Sequence, residues 1–203
     1  VTVVLVTGFE PFGGSAVNAS QEVVGRLPRR VGDVGIVTGI LPCVFGDAPR
    51  ELAALIREHR PDVVLALGEA GGRSGVDLER VAINVDDARI PDNAGNRPID
   101  SPVVAGAPSA YFSTLPIKAC AAAVEKVGVP TSVSNSAGTF VCNHVFFALM
   151  HLLTGVHGVR GGFVHVPTVD TLLTAEAVRG VTALLETAAA TGVDRHESRG
   201  AEH

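Results

Sequence analysis

Short apolar runs of strand length alternate with stretches whose apolar residues recur at helical spacing, and this alternation limits what the chain can fold into. Val3 to Thr7, Val34 to Leu41, Asp62 to Leu67, Thr131 to Asn135 and Gly162 to Val166 read as strands. The continuous apolar run after Asp62 is the pattern of a strand buried on both faces. Ser20 to Leu27, Ala48 to His59 and Pro116 to Val127 read as helices, as do the stripes Val141, Val145, Leu149, Leu152 and Ala177, Val181, Leu184, Ala188. Such an order predicts one domain over residues 1–203, an α/β/α sandwich with a mostly parallel central sheet. Val76 to Val85 reads as an extra strand pair with no helix between, which makes the sheet mixed. The polar tail from Asp194 to His203 is expected to fray. Asp86 to Ala110 breaks the alternation: it is long, polar and interrupted by Pro91, Pro98, Pro102 and Pro108. Loops of that length are uncommon in compact domains and are often functional, although a plain surface insertion also fits.

Charge and cysteine usage narrow the function classes. The formal net charge is −5 and no Lys/Arg run occurs, so a nucleic-acid partner is not expected. No apolar run approaches the roughly 20 residues of a membrane-spanning helix, and no membrane partner is expected. The opening Val1 to Gly8 lacks a basic region and a small-residue cleavage site, and reads as a first strand. Cys43, Cys120 and Cys142 are odd in number and irregularly spaced. That is no disulfide framework and suits a reducing, cytoplasmic setting.

Cys142 follows the turn-rich stretch Asn135 to Val141 and falls in the first turn of a helix. Unpaired N–H groups and the positive dipole end there favour a thiolate; a buried structural cysteine is the competing reading. A thiolate needs a base in reach. Of the seven histidines, His144 points away, two positions along the helix. His165 ends an apolar strand, at the sheet edge where open α/β folds bind ligands, although the residues alone slightly favour a satisfied core histidine. Cys142, following a strand and opening a helix, is expected at that edge too. Glu79 is a carboxylate in a strand-like segment that can orient an imidazole, or pair on the surface with Arg80. The opening Gly8-Phe9-Glu10-Pro11-Phe12-Gly13-Gly14 lacks the residues of a phosphate loop or dinucleotide fingerprint; its phenylalanines suit the walls of a small apolar pocket, with two ordinary core aromatics as the competing reading. Cys142 and His144 alone are too few for a structural zinc site.

Taken together, these motifs resemble the pyroglutamyl-peptidase I (pyrrolidone-carboxylate peptidase) family of cysteine peptidases. The resemblance runs through Val4 to Gly14, Glu79 to Asn84, Asp86 to Asn93, Ser132 to His144 and Phe163 to Pro167. It implies a Cys142-His165-Glu79 triad, no metal or other cofactor, peptides with an N-terminal pyroglutamate as substrates, and a homo-oligomer, dimer or tetramer. It further implies that Arg89 helps hold the oxyanion. Phe9, Phe12, Phe140 and Val141 are the candidates for the walls of the ring pocket. One departure stands in the segment Leu67 to Gly72, where Glu69 occupies the place of an expected glutamine and is carried as a substrate-binding candidate. Similar sandwiches also bind nucleosides, so a phosphorylase is the rival enzyme, and an inactive binding module the non-enzymatic one.

Overall fold

Along the central strands the side chains alternate between two apolar layers, and this period of two sets the architecture. The computed structural model describes residues 2–200. Its elements run β1 (Thr2–Phe9), α1 (Ala19–Val24), β2 (Arg30–Val31), β3 (Val34–Leu41), α2 (Asp47–His59), β4 (Val63–Glu69), β5 (Val76–Glu79), β6 (Val81–Ile83), β7 (Ala110–Phe112), α3 (Ile117–Lys126), β8 (Thr131–Ser134), α4 (Val141–Leu152), β9 (Arg160–Val166) and α5 (Thr174–Ala190). The main sheet has the order β2-β3-β1-β4-β9-β5-β8. Val4, Val6, Val63, Leu65, Leu67, Val164 and Val166 pack toward α1, α3 and α5. Their alternates Leu5, Val64, Ala66 and Phe163 pack toward α2 and α4. Each such side chain taken fully from water contributes about 1.5–3 kcal/mol, so β1, β4 and β9 are held from both sides, as the continuous apolar run after Asp62 predicted for β4.

β1, β3, β4 and β9 are mutually parallel. β5 inserts antiparallel to β9, and β8 runs parallel to β5. The sheet is therefore mixed, but not for the predicted reason. Val76 to Val85 is no strand pair: β5 joins the main sheet, whereas β6 leaves it and pairs with β7 in a separate two-stranded sheet. The helix predicted over Ser20 to Leu27 stops at Val24, because Gly25 caps it and Pro28 disfavours helical backbone at Leu27.

The C-terminal tail is not frayed through Arg199. The Asp194 carboxylate accepts from the N–H groups of Lys118 and Ala119 at the start of α3, Arg199 grips Glu125 through both guanidinium nitrogens, and Lys118 Nζ donates to the Glu197 carbonyl. Residues 201–203 lie outside the described residues.

The long segment between β6 and β7 is tied down as well. Asp92 takes hydrogen bonds from Phe45 N, Ala94 N, Asn96 N and Asn96 Nδ2. Burial works against its charge, but these bonds outweigh burial and hold the carboxyl below the usual range. Asn93 Nδ2 donates to Glu10 Oε1 at 2.8 Å and to the Pro11 carbonyl, and Glu10 Oε1 also accepts Cys43 N. Thus the loop is fastened to the Gly-rich opening. Its other margin exchanges bonds with the turn before α4: Asp87 N donates to the Thr139 carbonyl, and Thr139 Oγ1 to that of Asp87.

Candidate active site

His165 sits beside Gly68 in the β4–β9 register and opposite Asp77 in the β9–β5 register. Its neighbour Val164 faces α3 and α5, so alternation turns His165 to the α4 side. Leu78 likewise faces the first layer, which turns Asp77 and Glu79 to the side of His165. The Glu79 carboxylate is fully buried, and its Oε1 accepts the His165 Nδ1 hydrogen bond at 2.7 Å. A carboxylate only accepts, so the proton lies on Nδ1 and Nε2 keeps its lone pair. Nε2 makes no hydrogen bond among the described residues.

Cys142 is the second residue of α4, and it reaches the same place by a different route from the one the sequence suggested. β8 runs against β4 and β9, so its C-terminal end does not mark their C-terminal edge. Residues 135–140 carry the chain back, turning at Gly138, whose φ of +78° is left-handed backbone that glycine adopts without strain. The helix is then anchored by its next two residues. Asn143 exchanges hydrogen bonds with the backbone of Ile83 and donates to the Val85 carbonyl. His144 donates from Nδ1 to Asp86 Oδ2 at 2.7 Å and accepts Gly46 N at Nε2. His144 is thus engaged away from Cys142, as expected.

One cavity of about 450 Å³ is lined by Phe12, Glu69, Ala70, Arg73, Ser136, Ala137, Gly138, Phe140, Cys142 and His165. Phe12 and Phe140 meet at a ring-centroid distance of 6.0 Å, with Phe45 edge-on behind Phe140 at 5.4 Å. The cavity therefore joins Cys142 and His165 to Phe12, Phe140 and Glu69, while Glu79 stands behind the imidazole. The remaining candidates lie elsewhere. Phe9 ends β1 inside the core, tilted against Phe163, and Val141 is fully buried beside it in the same layer. Arg89 is exposed, makes no hydrogen bond among the described residues and does not line the cavity. The guanidinium in the cavity belongs to Arg73, which sequence reasoning missed. The only signal was its place directly after Gly71-Gly72 at the end of a buried strand.

The thiol's electrostatics also differ from expectation. Burial pushes the Cys142 thiol up, and Cys43, Glu79 and Glu69 push it further; its own backbone N–H offsets only part of this. A helix end supplies roughly half a charge, and desolvation and two carboxylates oppose it here. These surroundings favour the thiol over the thiolate, which calls for a base to take its proton. Cys43 and Cys120 are raised to about 12 by burial first and are packing residues. All three cysteines are unpaired.

Glu69 ends β4 on the α1 side, and its Oε2 accepts Ala19 N at 2.6 Å. An amide oxygen can accept the same bond, more weakly, so Glu69→Gln keeps the contact and removes the charge. Losing one cause of the raised thiol is expected to speed iodoacetamide alkylation of Cys142 at pH 8 by up to about tenfold, the effect of one pKa unit. A rate no faster than wild type would mean that Glu69 has no hold on the sulfur.

The family model described as Pyroglutamyl peptidase matches residues 2–195. A pyrrolidone-carboxylate peptidase of Streptomyces coelicolor is 50% identical over 100% of this chain and 100% of its own length. Another, from Cupriavidus pinatubonensis, is 50% identical over 98% of this chain and 99% of its own. The crystal structure of pyroglutamyl peptidase I from Bacillus amyloliquefaciens superposes with a TM-score of 0.92 at 41% identity, covering 96% of this chain and all of that one.

Proposed function

The chain belongs to the pyroglutamyl peptidase family of cysteine-type hydrolases and removes N-terminal pyroglutamate from peptides, and from that premise we propose how its residues divide the work. Cys142 is the nucleophile, His165 the base and Glu79 the group that orients the base. The observation that carries this reading is the buried 2.7 Å bond from His165 Nδ1 to Glu79, with Nε2 free and Cys142 lining the same cavity.

His165 Nε2 takes the proton from Cys142 Sγ as the sulfur attacks the carbonyl carbon that joins pyroglutamate to the next residue. The imidazolium that forms lies against the Glu79 carboxylate. No side chain caps α4, so the N–H groups of its first turn are available to the oxyanion. The imidazolium then protonates the leaving amine, the C–N bond breaks, and a thioester remains on Cys142. Water, deprotonated by His165, attacks the thioester and frees pyroglutamate and the thiol.

The lactam ring is neutral and compact. Phe12 and Phe140 offer it apolar walls, and Glu69 offers a carboxylate oxygen to its N–H. An open N-terminal glutamate would bring a third carboxylate beside Glu69 and Glu79, which is costly because the guanidinium in the cavity, Arg73, is already engaged by Asp77 and Glu79. Three unpaired thiols support a reducing, cytoplasmic setting, and among the described residues no helix is long and apolar enough to cross a membrane. The homo-oligomer is an expectation from family resemblance; a monomeric mass by light scattering would remove it.

Release of a fluorescent amine from a pyroglutamyl amide, with and without prior alkylation, tests the assignment. Turnover is expected, lost in step with labelling of Cys142 as read by mass spectrometry. Full turnover in protein labelled at Cys142 would end the nucleophile assignment.

A further inference from the structure

Arg73 stands on the turn after β4 and lines the catalytic cavity. Its Nη1 donates to Asp77 Oδ2 at 3.0 Å. Its Nη2 lies 3.1 Å from Glu79 Oε1, 3.0 Å from Ser134 Oγ and 3.1 Å from the Ser136 carbonyl. Asp77 and Glu79 project from one face of β5 and are both buried. Glu79 Oε1 is therefore shared between His165 Nδ1 and Arg73, while Oε2 is buried without a partner. The other titratable groups facing this cluster are Glu69 from β4 and the Cys142 thiol from α4.

With the imidazole neutral, Asp77 and Glu79 against Arg73 leave one negative charge. Removing Arg73 leaves two, with Glu69 adding a third nearby. Buried negative charge that lacks a cation draws a proton onto the nearest base. We propose that Arg73 is a positioning residue for this reaction: it keeps Glu79 ionised and aimed at His165 while holding the imidazole in its proton-free, basic form. Its bonds to Ser134 and Ser136 also tie this cluster to the segment that leads into Cys142. The inference rests on the triad reading above.

The test is the pH dependence of kcat/KM for a pyroglutamyl amide, measured on wild type, Arg73→Met and Asp77→Asn. Losing the cation should move the acid limb of Arg73→Met upward by about one pH unit, chiefly through kcat, with activity partly recovered at higher pH. Asp77→Asn removes a carboxylate that competes for Arg73, so its acid limb should move downward. A residue that only braces the fold would lower activity evenly and leave both limbs in place, and that result overturns the proposal. If Arg73→Met does not fold, Asp77→Asn decides alone, and an unmoved or raised limb counts against it. The His165 ring resonance, titrated by NMR in the same proteins, should move with the same signs. Turnover in wild type with unmoved limbs sinks this inference only, whereas absent turnover in folded, reduced wild type sinks the triad reading.

Discussion

Cys142→Ser is expected to lower kcat by a factor on the order of 10⁴ to 10⁶ while leaving the melting temperature close to that of wild type. The hydroxyl oxygen is smaller than sulfur and fits the same half-buried site on α4, so packing is not disturbed. What changes is the nucleophile. Burial, Glu79 and Glu69 already oppose charge on the atom at this position, and an alkoxide is far harder to form than a thiolate. Residual turnover should come from the first-turn N–H groups of α4 and from ring binding alone. Steady-state kinetics on a pyroglutamyl amide, with circular dichroism of the same samples, checks both halves. A folded variant within tenfold of wild type would show that Cys142 does not form the covalent intermediate.

The raised thiol gives that variant its meaning. Had Cys142 been a standing thiolate at a helix end, His165 would matter mainly for protonating the leaving amine. Because burial and the nearby carboxylates favour the thiol, the imidazole is called on in both directions, and its tautomer matters at both steps. The hydrogen bond to Glu79 fixes that tautomer. The triad is therefore coupled through β5, the one inner strand whose direction opposes its neighbour β9.

That reversed strand is also where the sequence stops being legible. Runs such as Val63 to Leu67 announce a two-sided strand because burial on both faces demands apolar residues at every position. Nothing in Val76 to Glu79 encodes its direction, which follows from the short turn after β4 and from where β8 can be reached. The same blind spot gives the right edge for Cys142 by a wrong route, since a strand-then-helix order leads to that edge only when the strand is parallel to β4 and β9, and β8 is not. His165 stood out at the end of an apolar strand, but a core histidine ends such a strand just as well, so pattern alone did not separate the two. Glu79 was not separable from a surface carboxylate until family resemblance placed it, because one polar residue in a strand reads alike whether it faces water or a histidine. Phe9 and Phe12 looked equivalent as two aromatics around one turn. The strand continues to Phe9 and its period sends that ring inward, whereas Phe12 lies beyond the strand and is free to face the cavity. Asp194 and Arg199 read as a solvated tail because their partners, the start of α3 and Glu125, are 75 and 74 residues away in sequence.

Gly68→Ala carries the second large expected effect, and it arises from a residue with no side chain. Gly68 lies beside His165 in the β4–β9 register, on the face toward α4. A Cβ built there would stand 2.8 Å from Cys142 Sγ and 2.8 Å from Phe163 Cζ. Ordinary carbon contacts sit at about 3.5–4.0 Å, so the sulfur or the ring must give way. Phe163 is locked between Phe9 and Phe146 and has little freedom to yield. The sulfur moves more easily, toward the open cavity, by something approaching 1 Å, which on its own can cost about 100-fold in rate. The crowding should also destabilise the fold by about 1–3 kcal/mol. kcat should therefore fall by about two orders of magnitude while Cys142 stays alkylatable, which separates a displaced nucleophile from a lost one. Near wild-type kcat in Gly68→Ala would show that the strand can shift to admit a methyl group without moving the sulfur, and that the close approach of β4 to Cys142 does not set the geometry of attack.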